Sequence, residues 1–262
     1  MPSEDVAAME NSPDDFPLES KLLREIEIKH GFFGAQGGVS DGACASLNTS
    51  LAVGDSLENV RLNREKILQS IGAEQSRFLS LKQVHGDHIV QVTQRVGASI
   101  EADGMISRDP QAALAILTAD CVPILFGADN GLVGAVHGGW RGTELHIARR
   151  MVERMGQLGC EPAQLRVAIG PAIGPESFEV GLDTWQSLSK AYPEVDSAFL
   201  VRDGRYFVDL WRLNEADLVA AGVLLEHIDL LGICTYEDHR FFSYRRDGAS
   251  TGRQAALIVS GG

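Results

Sequence analysis

No apolar run in this chain approaches the roughly 18 residues needed to cross a bilayer as a helix, so no transmembrane helix is expected. Basic residues are scarce: 23 Lys and Arg stand against 36 Asp and Glu, a net charge of -13. That balance argues against broad binding to nucleic acid or anionic membranes, which depends on basic surfaces. It leaves room for a small anion held by a local arginine cluster. The four cysteines, Cys44, Cys121, Cys160 and Cys234, are far apart and form no CxxC pair. The first twenty residues carry six acidic and no basic side chains, the reverse of a secretory start. Reduced thiols in a cytoplasm are therefore expected rather than a disulfide framework. Residues 1–20 read as a flexible acidic tail, and no internal repeat or interdomain linker divides residues 21–262.

What is present is an ordinary globular composition, 44% hydrophobic and 23% charged. Glu25–Lys29 alternates polar and apolar residues like a half-buried strand. Leu57–Ile71 has helical spacing and stops at Gly72. Phe78–Val84 and His88–Val92 read as a hairpin turning near Gly86-Asp87. Short apolar runs at Met105-Ile106, Leu114–Leu117, Val122–Phe126, Leu132–Val136, Leu165–Ile169, Phe207–Leu210, Ile228–Ile233 and Ala255–Val259 are further strands. Helical faces follow from Thr143 to Gly159, over Leu182–Tyr192 and over Leu213–Ala221. Interleaved strands and helices with hairpins predict an α/β (α+β) single domain built on mixed sheets.

Three side chains stand out against this background. His85 follows Gln83-Val84, Cys121 ends Thr118-Ala119-Asp120, and His137 ends the run from Leu132. Each residue type is commonly buried for packing alone. Together, however, two imidazoles and one thiolate suit zinc, and three protein ligands leave a fourth position open, as in catalytic sites. The runs ending at Cys121 and His137 suggest adjacent strands that deliver both to one pocket. Asp120 either hydrogen-bonds a ligand histidine or caps a turn, while Asp103 is a weaker candidate for acid–base work. The glycines of His137-Gly138-Gly139-Trp140-Arg141-Gly142 either admit a ligand close to the backbone or make a tight turn. Arginine forks suit phosphate, and the candidates are Arg64, Arg141, Arg245, Arg246 and Arg253. Arg141 is preferred because it lies four residues from His137; a surface ion pair is the favoured role for Arg246 and Arg253. His88, three residues from His85, reads as an exposed residue on the opposite face.

Several of these motifs recur together in a known family. Gln83-Val84-His85-Gly86, Ala102-Asp103-Gly104, Thr118-Ala119-Asp120-Cys121-Val122-Pro123, His137-Gly138-Gly139-Trp140-Arg141-Gly142, Gly170-Pro171-Ala172-Ile173-Gly174 and Phe242–Arg253 resemble the YfiH family. This is also called the laccase-domain or multicopper polyphenol oxidase family, and it includes the peptidoglycan editing factor. The resemblance implies a sandwich of mixed sheets flanked by helices, similar to a cysteine-hydrolase-like toxin fold. It implies metal ligands at His85, Cys121 and His137, and an Asn-Arg pair at Asn63-Arg64. The implied activity is purine nucleoside phosphorolysis, acting on adenosine, inosine, guanosine and methylthioadenosine, together with adenosine deamination. Zinc is the expected cofactor, with copper the lesser alternative, and a purine nucleoside and phosphate are the expected partners. Catalytic roles are expected at Cys121, His137 and Asp120, and substrate contacts at Arg64, Arg141 and Arg245. Competing readings are a cell-wall precursor hydrolase with Cys121 as nucleophile and His137 as base, and a copper polyphenol oxidase. A multicopper oxidase needs many histidines, and this chain has seven.

Overall fold

The computed structural model describes residues 16–92 and 100–261. In chain order the elements are α1 (Lys21–Glu25), β1 (Lys29–Phe32), α2 (Leu57–Ser70), β2 (Arg77–Ser80), β3 (Ile89–Gln91), β4 (Gly104–Ser107), β5 (Ala112–Thr118), β6 (Val122–Gly127) and β7 (Val133–Gly138). They continue with α3 (Trp140–Glu144), α4 (Ile147–Gln157), β8 (Arg166–Ile169), β9 (Glu179–Val180), α5 (Leu182–Ala191), β10 (Phe199–Arg202), β11 (Arg205–Val208), α6 (Leu210–Ala220), β12 (Ile228–Leu230), α7 (Tyr244–Asp247) and β13 (Gln254–Val259).

A four-stranded sheet in the order β1-β13-β5-β2 faces a six-stranded sheet in the order β12-β8-β6-β7-β4-β3. Both are mixed, as expected: β2 pairs parallel with β5, and β3 with β4, while β5–β13 and β6–β7 are antiparallel. Leu114 and Ile116 of β5, Ile258 of β13, Leu125 of β6 and Val133 of β7 form the layer between the sheets. On the outer side of the first sheet, Ala113, Ala115 and Leu257 meet Ile67 and Leu68 of α2. On the outer side of the second, Ile124, Phe126 and Val136 meet Met151 and Met155 of α4 and Leu213 of α6. Central strands are thus covered on both faces, which is why β5 and β6 read as continuous apolar runs rather than alternating ones. The mixed sheets that the sequence pattern predicts, and the helix-flanked sandwich that the family resemblance implies, are the observed architecture.

Several local expectations are corrected. Glu25–Lys29 is not a strand: α1 runs to Glu25, Glu27 turns the chain at φ 57°, and β1 starts at Lys29. The segments at 78–84 and 88–92 form no hairpin, because β2 and β3 belong to different sheets and each pairs parallel with another strand. The helix expected from Thr143 is broken by His146, whose left-handed φ of 59° separates α3 from α4. α6 begins three residues before its predicted start, because the Asp209 side chain caps it by accepting from Arg212 N–H. Residues 1–15 of the acidic tail lie outside the described residues. Phe16–Ser20, expected within that tail, are instead tied down: Leu18 exchanges two backbone hydrogen bonds with Phe32, and Ser20 N–H donates to buried His30 Nε2 at 2.8 Å. Among the described residues no helix is long and apolar enough to cross a membrane.

Candidate functional site

Two chain crossings between the sheets create the site. β5 ends at Thr118, and a turn through Ala119-Asp120-Cys121 starts β6 in the opposite sheet. The segment after β2 carries Gln83 to Gly86 across to β3 in the same way. β7 brings His137 to this end, opposite Pro123 of β6. The runs ending at Cys121 and His137 are therefore not adjacent strands, since β5 and β7 lie in facing sheets; only their ends converge.

The donor atoms of His85, Cys121 and His137 all lie within 4.8 Å of one another. Cys121 Sγ is 3.9 Å from His85 Nε2, and the two imidazoles meet edge to face with centroids 4.8 Å apart. Tetrahedral zinc bound by such donors separates sulfur from nitrogen by about 3.5 Å. The 3.9 Å between Cys121 Sγ and His85 Nε2 is slightly wider than that. The donor chemistry, two imidazoles and one thiol brought together, is of the kind that fits a metal ion such as zinc.

Asp103 organises the cluster. Fully buried, it accepts from His137 Nδ1 at 2.7 Å and from the backbone N–H groups of Val84, His85 and Gly86 at 3.2, 3.0 and 2.7 Å. Burial alone would raise its pKa, but the His137 ring and these N–H groups hold it below the usual carboxylate value. An ionised Asp103 fixes the proton on His137 Nδ1 and leaves the Nε2 lone pair free to face Cys121 and His85. The same carboxylate steadies His85, whose left-handed φ of 61° is uncommon for a residue with a side chain. Gln83 adds a second restraint: its amide donates to Leu117 O and accepts from Leu117 N–H, extending the edge of β5.

Without a metal, the site polarises itself. Burial pushes the Cys121 thiol up and the His137 imidazole down, yet mutual attraction and hydrogen bonding outweigh both effects. The thiol falls to about 6 and His137, helped by Asp103, rises to about 9, so the pair rests as thiolate and imidazolium. Gly139 permits this crowding. A Cβ there would lie 2.9 Å from His85 Cδ2 and 3.3 Å from Cys121 Sγ. Close approach, not the turn alone, explains a glycine at that position.

The three candidate ligands face a cavity of about 570 Å³. Arg141, Arg245, Arg253 and Lys82 line it, with the rings of Trp140, Phe178 and Tyr244. The Arg141 guanidinium lies 4.3 Å over Trp140, and Arg245 lies 5.5 Å over Phe178. Arg253, for which a surface ion pair was favoured, is half-buried in this lining and donates to Thr251 O and Gly252 O. Arg64 departs from expectation: it packs 4.5 Å over Phe78, donates to Thr49 O, and stands apart from the cavity lining. Arg246 binds the Thr235, Tyr236 and Phe241 carbonyls, a structural role. His88 is exposed.

Asp120 does not take the histidine-orienting role; Asp103 does. Asp120 accepts from Thr235 Oγ1 at 2.7 Å and from the Arg245 backbone N–H at 2.6 Å, so it anchors the start of α7, which carries Arg245. Its position beside Cys121 suggested the other role, but the partner of His137 is 34 residues distant. The Ala102-Asp103-Gly104 motif was the available signal.

The family model described as multi-copper polyphenol oxidoreductase laccase matches residues 29–261. The chain belongs to this family, the YfiH family. A purine nucleoside phosphorylase of Deinococcus radiodurans is 37% identical over 240 residues, spanning 90% of this chain and 92% of that protein. Purine nucleoside phosphorylase YlmD of Geobacillus stearothermophilus is 39% identical over 237 residues, 85% and 86% of the two chains. The crystal structure of the hypothetical protein YfiH from Bacillus licheniformis superposes with a TM-score of 0.84 at 34% identity, covering 90% of this chain and 93% of that one. That of Geobacillus YlmD gives 0.82 at 37% identity, covering 88% and 91%. This YfiH-family chain thus shares its sandwich with solved family structures along nearly its whole described length.

Proposed function

We propose that the chain is a zinc-dependent purine nucleoside phosphorylase, converting adenosine, inosine or guanosine and phosphate to free base and ribose 1-phosphate, and methylthioadenosine to adenine and methylthioribose 1-phosphate. One observation carries the reading: a His–Cys–His donor set opens on a cavity that combines guanidinium groups with aromatic rings, in a protein of net charge -13. Arg141, Arg245 and Arg253 supply forks for phosphate oxygens. Trp140, Phe178 and Tyr244 supply faces for a purine ring. Phosphorolysis joins a phosphate oxygen to ribose C1′ as the bond from C1′ to the base nitrogen breaks. The arginines hold the nucleophile beside C1′, and the rings orient the leaving base. His85, Cys121 and His137 would hold zinc, which supplies Lewis-acid polarisation at the cavity wall. Deamination of adenosine is a second reaction of the same cavity. The names of the curated relatives favour phosphorolysis as the main one.

A second reading has an observation of its own. Cys121 and His137 lie together, and their mutual attraction lowers the thiol and raises the imidazole, which also suits a cysteine hydrolase acting on cell-wall precursors. A copper oxidase is disfavoured because the described residues hold one cluster of three His or Cys donors and no second, histidine-rich one.

The test is product analysis of adenosine and phosphate with purified protein and its Cys121→Ser variant, with metal content measured in parallel. Adenine and ribose 1-phosphate from a zinc-containing protein, lost in the variant, uphold the proposal. Inosine and ammonia alone would replace it with a deaminase, and no purine turnover would advance the hydrolase.

A further inference from the structure

Behind α3, away from the metal ligands, lies a buried polar group with no part in the chemistry above. Asp217 of α6 is fully buried, and Tyr192, which caps the end of α5, is 1% exposed. Tyr192 Oη lies 2.5 Å from the Thr143 carbonyl oxygen and 2.8 Å from Asp217 Oδ2. Both neighbours are natural acceptors, and a phenol has one proton to give. The Thr143 carbonyl, which already accepts from His146 N–H, cannot supply another. Two oxygen contacts this short, between groups this deeply buried, need a second proton. Asp217 is the one group of the three able to bring it.

The other charged and titratable neighbours leave room for that proton. His146 Nδ1, from the break between α3 and α4, lies 2.9 Å from Asp217 Oδ1, and Arg149 of α4 lies 3.2 Å from the same oxygen. Neither occupies Oδ2. Glu194, beyond α5, adds negative charge near Tyr192.

We propose that Asp217 is a neutral carboxylic acid and the positioning residue for α3: its Oδ2–H donates to Tyr192 Oη, whose proton goes to Thr143 O. Burial, the leading influence on Asp217, pushes its carboxyl up and so favours the acid form. The target of the relay is specific. Thr143 is gripped at its carbonyl by Tyr192 and at its hydroxyl by Asn214 Nδ2 at 3.0 Å. The helix it anchors begins with Trp140 and Arg141, which line the cavity. Asp217 therefore acts on the cavity through α3 without touching it.

Asparagine reproduces the acid's pattern, with an N–H donor toward Tyr192 and an oxygen acceptor toward His146 and Arg149. It cannot reproduce a carboxylate. The decisive measurement is carbon-13 NMR of aspartate-labelled protein, the Asp217 signal being assigned by its loss in Asp217→Asn. An acid-form signal at pH 7 is expected; a carboxylate signal at pH 7 overturns the proposal. Activity provides the second arm and rests on the phosphorylase reading, whereas the NMR result does not. Asp217→Leu should lower kcat/KM for phosphorolysis by roughly ten- to a hundredfold, mainly through KM for phosphate, and Asp217→Asn should rescue it. The alkaline loss of phosphate affinity, as Asp217 ionises, should vanish in Asp217→Asn. Equal damage by Asn and Leu would mean that an ionised partner of Arg149 is required, and the proposal would fail. If Asp217→Leu does not fold, the NMR measurement still decides.

Discussion

One oxygen of Asp103 serves both histidines of the centre: Oδ1 accepts from His137 Nδ1 at 2.7 Å and from the backbone N–H of His85 at 3.0 Å. Side-chain orientation at one histidine and backbone conformation at the other thus depend on the same buried charge. Asp103→Asn keeps the size but turns an amide donor toward N–H groups. Zinc affinity, measured by competition with a chelator, should fall by about 10- to 100-fold. Unchanged affinity would show that the histidines hold their places without it.

Reactivity of the metal-free protein should reveal the Cys121–His137 pair. With the thiol lowered to about 6, alkylation of Cys121 should rise through that pH and level off by neutrality, where an ordinary thiol is only beginning to ionise. His137→Asn removes the stabilising cation and should move the rise toward the ordinary thiol range. Added zinc should suppress alkylation. A wild-type profile that climbs only above pH 8 would contradict the polarised pair.

The arginines separate by location. Arg141 is exposed at the cavity and, among the described residues, engages only the face of Trp140. Arg141→Ala should raise KM for phosphate by roughly ten- to a hundredfold, the loss of one charge-assisted interaction. Arg64→Ala should instead lower the melting temperature, through lost packing on Phe78 and release of Thr49, with KM for phosphate within about twofold of wild type. Steady-state kinetics and thermal melts on both variants check the assignment, and a reversed pattern would refute it.

Gly139 offers a steric test. In Gly139→Ala the new methyl would sit 2.9 Å from His85 Cδ2 and 3.3 Å from Cys121 Sγ. His85, on an exposed loop, gives way more easily than His137, which is 3% exposed. Zinc should then bind more weakly, while His137 keeps its Asp103 bond. Wild-type zinc affinity with an unchanged His85 resonance would show that the crowding is relieved elsewhere.

The sequence made some of this legible and hid the rest for identifiable reasons. The three donors could be found because each stops an apolar run or occupies a tight turn, and a strand end is where a sandwich can present a side chain. The Asp103 partnership could not be read from neighbouring residues, because it joins segments 34 positions apart; adjacency favoured Asp120, which anchors Arg245 instead. Gly86-Asp87 resembled a hairpin turn, yet the chain there passes between sheets, since the Gly86 N–H is claimed by Asp103 rather than by a partner strand. The places of Arg64 and Arg253 are hidden for the same reason: Arg253 lines the cavity and Arg64 does not. The proximity of Arg253 to the cavity follows from the register of β13 against β5, where Gln254 faces Thr118. No local pattern encodes that register.

The two crossings have a mechanical corollary. His85 hangs between the sheets, Cys121 sits at the bend joining them, and His137 belongs to the six-stranded sheet alone. An ion gripped by all three would be a clasp across the seam of the sandwich. Prying the layers apart at that end would then require breaking metal–ligand bonds as well as separating side chains. The reactive centre and the fastening of the fold would be one object, and a change that loosens either would be felt by both.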